Sequence, residues 1–255
     1  MGTMVTIDEA LDIDLAQNEL ICVVGAGGKT TTILKLAREL KRHAKRVLVT
    51  TTTAMYYPCE GDCDEVIVDS VPDSGIFTRV KESGIIVFGR KVSNVNKLLS
   101  VDKEFLEELH KENLFNYILV EGDGSKQRPI KAPAFYEPVI PESTTKTIGV
   151  IGLDSLGKKI DSNYIHRPEL FCKVTGREIG GVIGEEEIAR LIVSPEGLFK
   201  AVPRGSQKYL LLNKAENKEI QRSAMNIIAL VKKDTSSIRG FIVATMASGV
   251  INKIT

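Results

Sequence analysis

Short apolar runs rich in β-branched residues recur along this chain, separated by stretches in which apolar residues return every third or fourth position. Leu20-Ile21-Cys22-Val23-Val24, Arg46-Val47-Leu48-Val49-Thr50-Thr51, Glu65-Val66-Ile67-Val68-Asp69, Gly84-Ile85-Ile86-Val87-Phe88-Gly89 and Tyr117-Ile118-Leu119-Val120 are brief and lack a wet face. They read as strands covered on both sides. Helical patterns lie between them at Ile33 to His43, more weakly at Asp73 to Ser83, and at Lys103 to Lys111 with its Phe105, Leu106 and Leu109 stripe. Strand and helix in alternation predict an α/β fold with a mainly parallel sheet and crossover helices.

The second half spaces its strands more widely, at Thr147 to Ile151, Tyr209 to Leu212 and Phe241 to Ala244. Between the first two lies a mixed stretch, 154–206, which contains the acidic-start helix pattern Glu185 to Ile192. It is a candidate inserted lid or partner-binding region within a single domain spanning 1–255. No repeat, linker or low-complexity tract interrupts the pattern.

Composition narrows the classes. With 255 residues, 43% of them hydrophobic, the chain can bury a substantial core. A net charge of +1 supplies no basic field for nucleic acid or an anionic membrane. The first residues, Met1 to Glu9, lack a basic start followed by an apolar core, and no run approaches the ~20 apolar residues of a membrane helix. The expected compartment is the cytoplasm. The four cysteines do not form a disulfide framework. Cys59 and Cys63 are close in sequence, but no second Cys/His pair nearby completes a zinc site.

Candidate chemistry begins where the first apolar run ends. Gly25-Ala26-Gly27-Gly28-Lys29-Thr30-Thr31-Thr32 sits between that strand and an amphipathic helix. Glycines let several backbone N–H groups converge, and the helix start adds its positive dipole end. Lys29 supplies a mobile charge and Thr30 a hydroxyl suited to Mg²⁺. Gly25, Ala26, Gly27, Gly28, Lys29, Thr30 and Thr31 are therefore expected to hold a nucleoside triphosphate in a three-layer, P-loop NTPase-like fold. The standard pattern wants a glycine six residues before the lysine, and Val23 stands there, so the loop is a shortened one.

A phosphate loop needs carboxylates, and open α/β sheets place them at strand ends. Glu121-Gly122-Asp123-Gly124-Ser125 follows its strand directly, which makes Asp123 a Mg²⁺ or water ligand and Glu121 its companion or a general base. The competing reading is a plain acidic turn. Thr50 to Thr53 end the second strand on the same edge, where Thr51 and Thr52 are candidate phosphate or Mg²⁺ contacts or simply good strand residues. Asn213-Lys214-Ala215-Glu216 is similar to the guanine-reading Asn-Lys-x-Asp of GTPases, with Glu216 for the aspartate. It also reads as a helix start. ATP is slightly preferred over GTP. In the proline-stiffened segment Lys126 to Pro141, Arg128 or Lys131 would neutralise transition-state charge, unless both are ordinary solvated cations. His166 can move a proton near neutral pH, though a lone histidine before Pro168 is more often structural.

Taken with Val49-Thr50-Thr51-Thr52-Thr53-Ala54-Met55, Val120 to Ser125, Lys131-Ala132-Pro133 to Glu137-Pro138-Val139-Ile140-Pro141, Gly152-Leu153-Asp154 and His166-Arg167-Pro168-Glu169, the loop gives a chain that resembles the YqeC family from about Asn18 to Asn213. Where that family is expected to carry histidine before Glu-Pro, this chain has Tyr136, so no catalytic role attaches there. The resemblance implies a P-loop NTP-binding accessory protein of selenium-dependent molybdenum hydroxylases, whose partner is such a hydroxylase or its cofactor-assembly machinery. Two other functions stay open. The short loop is also similar to that of Mur ligases, which suggests an ATP-dependent ligase or transferase that activates a small acid by phosphorylation. A nucleotide-gated binding module with negligible turnover is the other.

Overall fold

A computed structural model describes residues 3–71, 73–77 and 83–254. In chain order its strands are β1 (Thr3–Met4), β2 (Glu19–Gly25), β3 (Arg46–Thr51), β4 (Ala54–Tyr56), β5 (Glu65–Val68), β6 (Gly84–Gly89), β7 (Lys97–Leu99), β8 (Tyr117–Glu121), β9 (Ile130–Lys131), β10 (Lys146–Gly152), β11 (Ile165–His166), β12 (Gln207–Asn213), β13 (Ile238–Thr245) and β14 (Val250–Ile254). The helices are α1 (Ile7–Ala10), α2 (Lys29–Arg42), α3 (Lys103–Lys111), α4 (Pro168–Thr175), α5 (Glu185–Val193) and α6 (Lys218–Asp234). Of the stretch Asp73 to Ser83, Ser74–Phe77 forms a 3-10 turn, and residues 78–82 lie outside the described residues.

One sheet of ten strands, in the order β1-β14-β13-β12-β10-β2-β8-β3-β6-β5, crosses the molecule. Every pairing from β5 to β13 is parallel, and β14 runs antiparallel to both β13 and β1. The apolar strands divide their side chains between the two faces with period two. In β2, Leu20, Cys22 and Val24 join one buried cluster while Ile21 and Val23 join the other. The second cluster also takes Ile33, Leu36, Ala37 and Leu40 of α2. The first takes Leu106 and Leu109 of α3, Phe171 of α4, Ile188 and Leu191 of α5, and Ile227 of α6. The result is a three-layer α/β arrangement. Within 154–206, Ile160, Ile165, Ile183, Ile192 and Leu198 are buried in that same first cluster.

The register aligns the carboxyl ends of the central strands. Val23 of β2 and Thr51 of β3 both pair with Glu121 of β8, Val150 of β10 pairs with Gly25, and Gly152 pairs with Asn213 of β12. From β2 the chain passes to β3 beyond β8 on one side, whereas β10 and β12 lie on the other. Loops that leave opposite ways open a crevice above β2, where such sheets take ligands.

Candidate functional site

At the end of β2 the backbone turns through Gly25, Gly27 and Gly28 with φ of 91°, 84° and 131°, in the left-handed half of conformational space. Only glycine enters that region freely. The turn delivers Lys29 as the first residue of α2, so the N–H groups of the first helical turn, which lack intrahelical acceptors, open on the crevice. A Cβ on Gly27 would stand 2.2 Å from the Gly152 nitrogen. Gly27→Ala therefore combines a clash with a forbidden φ, and we expect a loss of at least about 2 kcal/mol, or about 4–8 °C in melting temperature for a domain of this size. An unshifted melt would contradict the tight packing of loop on β10.

Lys29 is 3% exposed. Its Nζ donates to the Gly25 carbonyl at 2.7 Å and stands 3.2 Å from Asp123 Oδ1 and 3.9 Å from Glu121 Oε1. Burial works against the ammonium charge, but Asp123 and Glu121 outweigh it and raise the pKa above the ordinary lysine value. Thr30 Oγ1 donates to Glu121 Oε2 at 2.6 Å. Burial pushes the Glu121 carboxyl above its usual range, and Lys29 and the Thr30 hydroxyl offset only part of that. Lys29 and Thr30 of the glycine turn and the strand-end carboxylates Glu121 and Asp123 thus meet in one place.

Asp123 is the hinge of a larger buried network. Its Oδ2 accepts from the Gly25 N–H at 3.1 Å and lies 3.0 Å from Lys131 Nζ. Its Oδ1 is buried and accepts no well-formed hydrogen bond from the protein, although Lys29 is close. Lys131 also donates to the Gly124 carbonyl and to Glu137 Oε2, both at 2.7 Å. Glu137 in turn accepts from Arg167 Nη1 at 2.6 Å and Nη2 at 3.2 Å. β9 and β11 pair side by side with Lys131 opposite His166, which brings Arg167 across to Glu137. Burial alone would raise the Glu137 carboxyl, yet the Arg167 and Lys131 hydrogen bonds overcome it and bring the pKa down to about 2.

That depression makes Glu137 a source of pH-dependent stability. A lowered folded pKa contributes stability that is complete above the unfolded value, near 4.5, and is lost as pH falls through about 2. The shift corresponds to about 3 kcal/mol. Glu137→Gln should then destabilise the protein at pH 7, and chemical denaturation should find the gap to the wild type closing between pH 4.5 and 2. A gap that does not vary with pH would remove the clamp from the account.

A cleft of about 670 Å³ opens above this network, lined on one side by Gly27 to Thr31, Glu121 and Lys214. Thr53 to Tyr56, Lys97, Gly124 to Arg128, Tyr136, Glu137 and His166 complete it. Arg128 is half-buried at its edge and has no carboxylate partner among the described residues. Burial first, then the Arg167 and Lys131 charges, lower His166 to about 4, so its imidazole is neutral at physiological pH. Lys131, at 2% exposure, lies behind the wall. Thr51 Oγ1 donates to the Glu121 carbonyl at 2.9 Å and Thr52 Oγ1 to the Val139 carbonyl at 2.7 Å, both turned into the protein. Thr53 is the residue of that run on the cleft.

Asn213 Nδ2 donates to the Gly27 carbonyl at 2.8 Å, while its Oδ1 accepts from the Met246 N–H at 3.0 Å. Its amide thereby ties the glycine turn to the end of β13. Lys214 Nζ donates to Asp154 Oδ2 at 2.7 Å on the rim of the cleft. Glu137, on the cleft lining, and Arg167 stand in segments that carry the family resemblance, but nothing in the sequence pairs them, since they lie 30 positions apart. Cys59 and Cys63 are free thiols outside the cleft. No group of three or more His, Cys, Asp or Glu among the described residues is arranged to hold a metal.

Comparison with known proteins adds a family. The family described as YqeC protein matches residues 21–169. A relative from Escherichia coli (strain K12), named "Uncharacterized protein YqeC", is 32% identical over 212 residues, which cover 80% of this chain and 80% of the relative.

Proposed function

The chain belongs to the YqeC family, and on that premise we propose that it binds a Mg²⁺–nucleoside triphosphate and hydrolyses it to act on a partner protein. The observation that carries the reading is the convergence of Lys29 and Thr30 on Glu121 and Asp123 at the mouth of a glycine turn. The turn and the first N–H groups of α2 would take the phosphate oxygens, with Lys29 leaving the Gly25 carbonyl to join them.

The donor set fits Mg²⁺. Thr30 Oγ1, Glu121 and Asp123 Oδ1, which pairs with Lys29 but accepts no well-formed hydrogen bond, are hard oxygen ligands of the kind that ion takes with phosphate and water. Bound there, Mg²⁺ supplies charge that neutralises phosphate oxygens. The protein's own part is to position: Lys29 neutralises, Glu121 and Asp123 orient a water, and Arg128, on the cleft lining, meets developing charge.

The partner suggested by the family resemblance is a selenium-dependent molybdenum hydroxylase or the machinery that assembles its cofactor. A group-transfer reaction, in which a small acid takes the γ-phosphoryl group, is favoured by one feature. Lys126 and Arg128 line the cleft with no carboxylate at ion-pair distance among the described residues, so they can meet a second anion. Among the described residues, no helix is long and apolar enough to cross a membrane.

Calorimetric titration with Mg-ATP and Mg-GTP, followed by a phosphate-release assay, tests the proposal. Saturable binding that chelation of Mg²⁺ weakens, followed by slow release, is the expected result. Absence of binding by both nucleotides would overturn it. Release that depends on an added small acid would move the function to group transfer.

A further inference from the structure

Five charged side chains form a line through the protein, in which Lys29, Asp123, Lys131, Glu137 and Arg167 alternate in sign and each is within 3.2 Å of the next. Lys131 is the member that neither end explains. It is 2% exposed and has Asp123, Glu137 and the Gly124 carbonyl for neighbours, yet it lies outside the cleft lining. A cation so placed cannot touch a phosphate without abandoning two carboxylates.

Asp123 by contrast sits between two lysines, with Lys29 at Oδ1 and Lys131 at Oδ2. A phosphate that draws Lys29 away removes one of them. Breaking a buried ion pair is costly mainly because it leaves a charge unpaired. With Lys131 in place that cost does not arise, because Asp123 retains a cation and the Gly25 N–H when Lys29 departs.

We infer that Lys131 is a positioning residue: the resident counter-ion of Asp123, kept in place by Glu137 and Arg167, that frees Lys29 to bind phosphate. This rests on the nucleotide reading of the cleft, and it differs from the expectation that Lys131 itself neutralises transition-state charge. Glu137 is the second carboxylate on Lys131, and the two-pronged Arg167 contact fixes Glu137. Lys131 therefore stays in place whichever way Lys29 points.

A double-mutant cycle read by nucleotide affinity tests the role. Lys131→Met should weaken binding of the tighter of Mg-ATP and Mg-GTP by about tenfold in the wild-type background, and by less than about threefold in Asp123→Asn, where no charge needs a partner. A residue that touches the phosphate, or one that merely supports the fold, would cost the same in both backgrounds, and that result overturns the inference. If Lys131→Met does not fold, the pair Lys131→Met with Glu137→Gln removes both charges together and supplies the same comparison. A wild-type protein that binds neither nucleotide would overturn the site itself, whereas binding with equal losses overturns only the counter-ion role.

Discussion

Replacing Lys29 by alanine is expected to weaken Mg-nucleotide binding by at least about a hundredfold and to leave the fold intact. A charge-assisted hydrogen bond to phosphate in a buried setting is worth about 1.5–3 kcal/mol, and each 1.4 kcal/mol is tenfold in affinity. The variant loses more than that bond. Glu121 and Asp123 would face the phosphates without the ammonium that now stands 3.9 and 3.2 Å from them. Folding should survive, since Asp123 keeps Lys131 and the Gly25 N–H, and Glu121 keeps the Thr30 hydroxyl. Calorimetric titration beside a thermal melt separates the two effects. An unchanged affinity in a folded variant would end the phosphate-loop reading.

Asp123→Asn should act on the other side of the reaction, with turnover reduced by about a hundredfold or more and affinity by less than about tenfold. The amide keeps the shape of the carboxylate and can still accept from the Gly25 N–H. What it removes is the negative charge at the buried Oδ1 that points toward Lys29. That charge would matter most once Lys29 turns to a phosphate and an attacking water needs an acceptor. Steady-state phosphate release gives the answer, and full activity would remove Asp123 from the machinery.

Most of the sheet was legible because its central strands are buried on both faces, and burial of that kind leaves a continuous apolar run. Lys103–Lys111 forms α3 over the bounds that its apolar stripe predicts. The last helix was read only as an alternative start at Asn213 to Glu216, and the sheet's far edge was not read. α6 begins four positions beyond Lys214, where the sequence Asn213 to Glu216 drew attention to chemistry, and its N-cap Asn217 accepts from the Ile220 N–H. β1 has two residues and pairs with β14 from the other end of the chain, so no local periodicity could announce it.

The site divides along the same line. Glycine turn, lysine, threonine and strand-end carboxylates are each adjacent to a strong apolar run, and the fold assembles them as the order of elements requires. The clamp behind them depends on the pairing of two-residue strands, β9 and β11, a tertiary event. Asn213 illustrates a different limit. Residue type and position point equally to a base contact or to a helix start, and only the register of β12 against β10, which stands between it and β2, brings its amide to the Gly27 carbonyl.

The most direct test is a crystal structure with Mg²⁺ and a non-hydrolysable nucleoside triphosphate. The account predicts β- and γ-phosphate oxygens within hydrogen-bond distance of the Gly27 to Thr30 N–H groups, Lys29 Nζ withdrawn from the Gly25 carbonyl and placed on a phosphate oxygen, and Asp123 still paired with Lys131. A triphosphate bound elsewhere, with Lys29 still donating to Gly25, would contradict it.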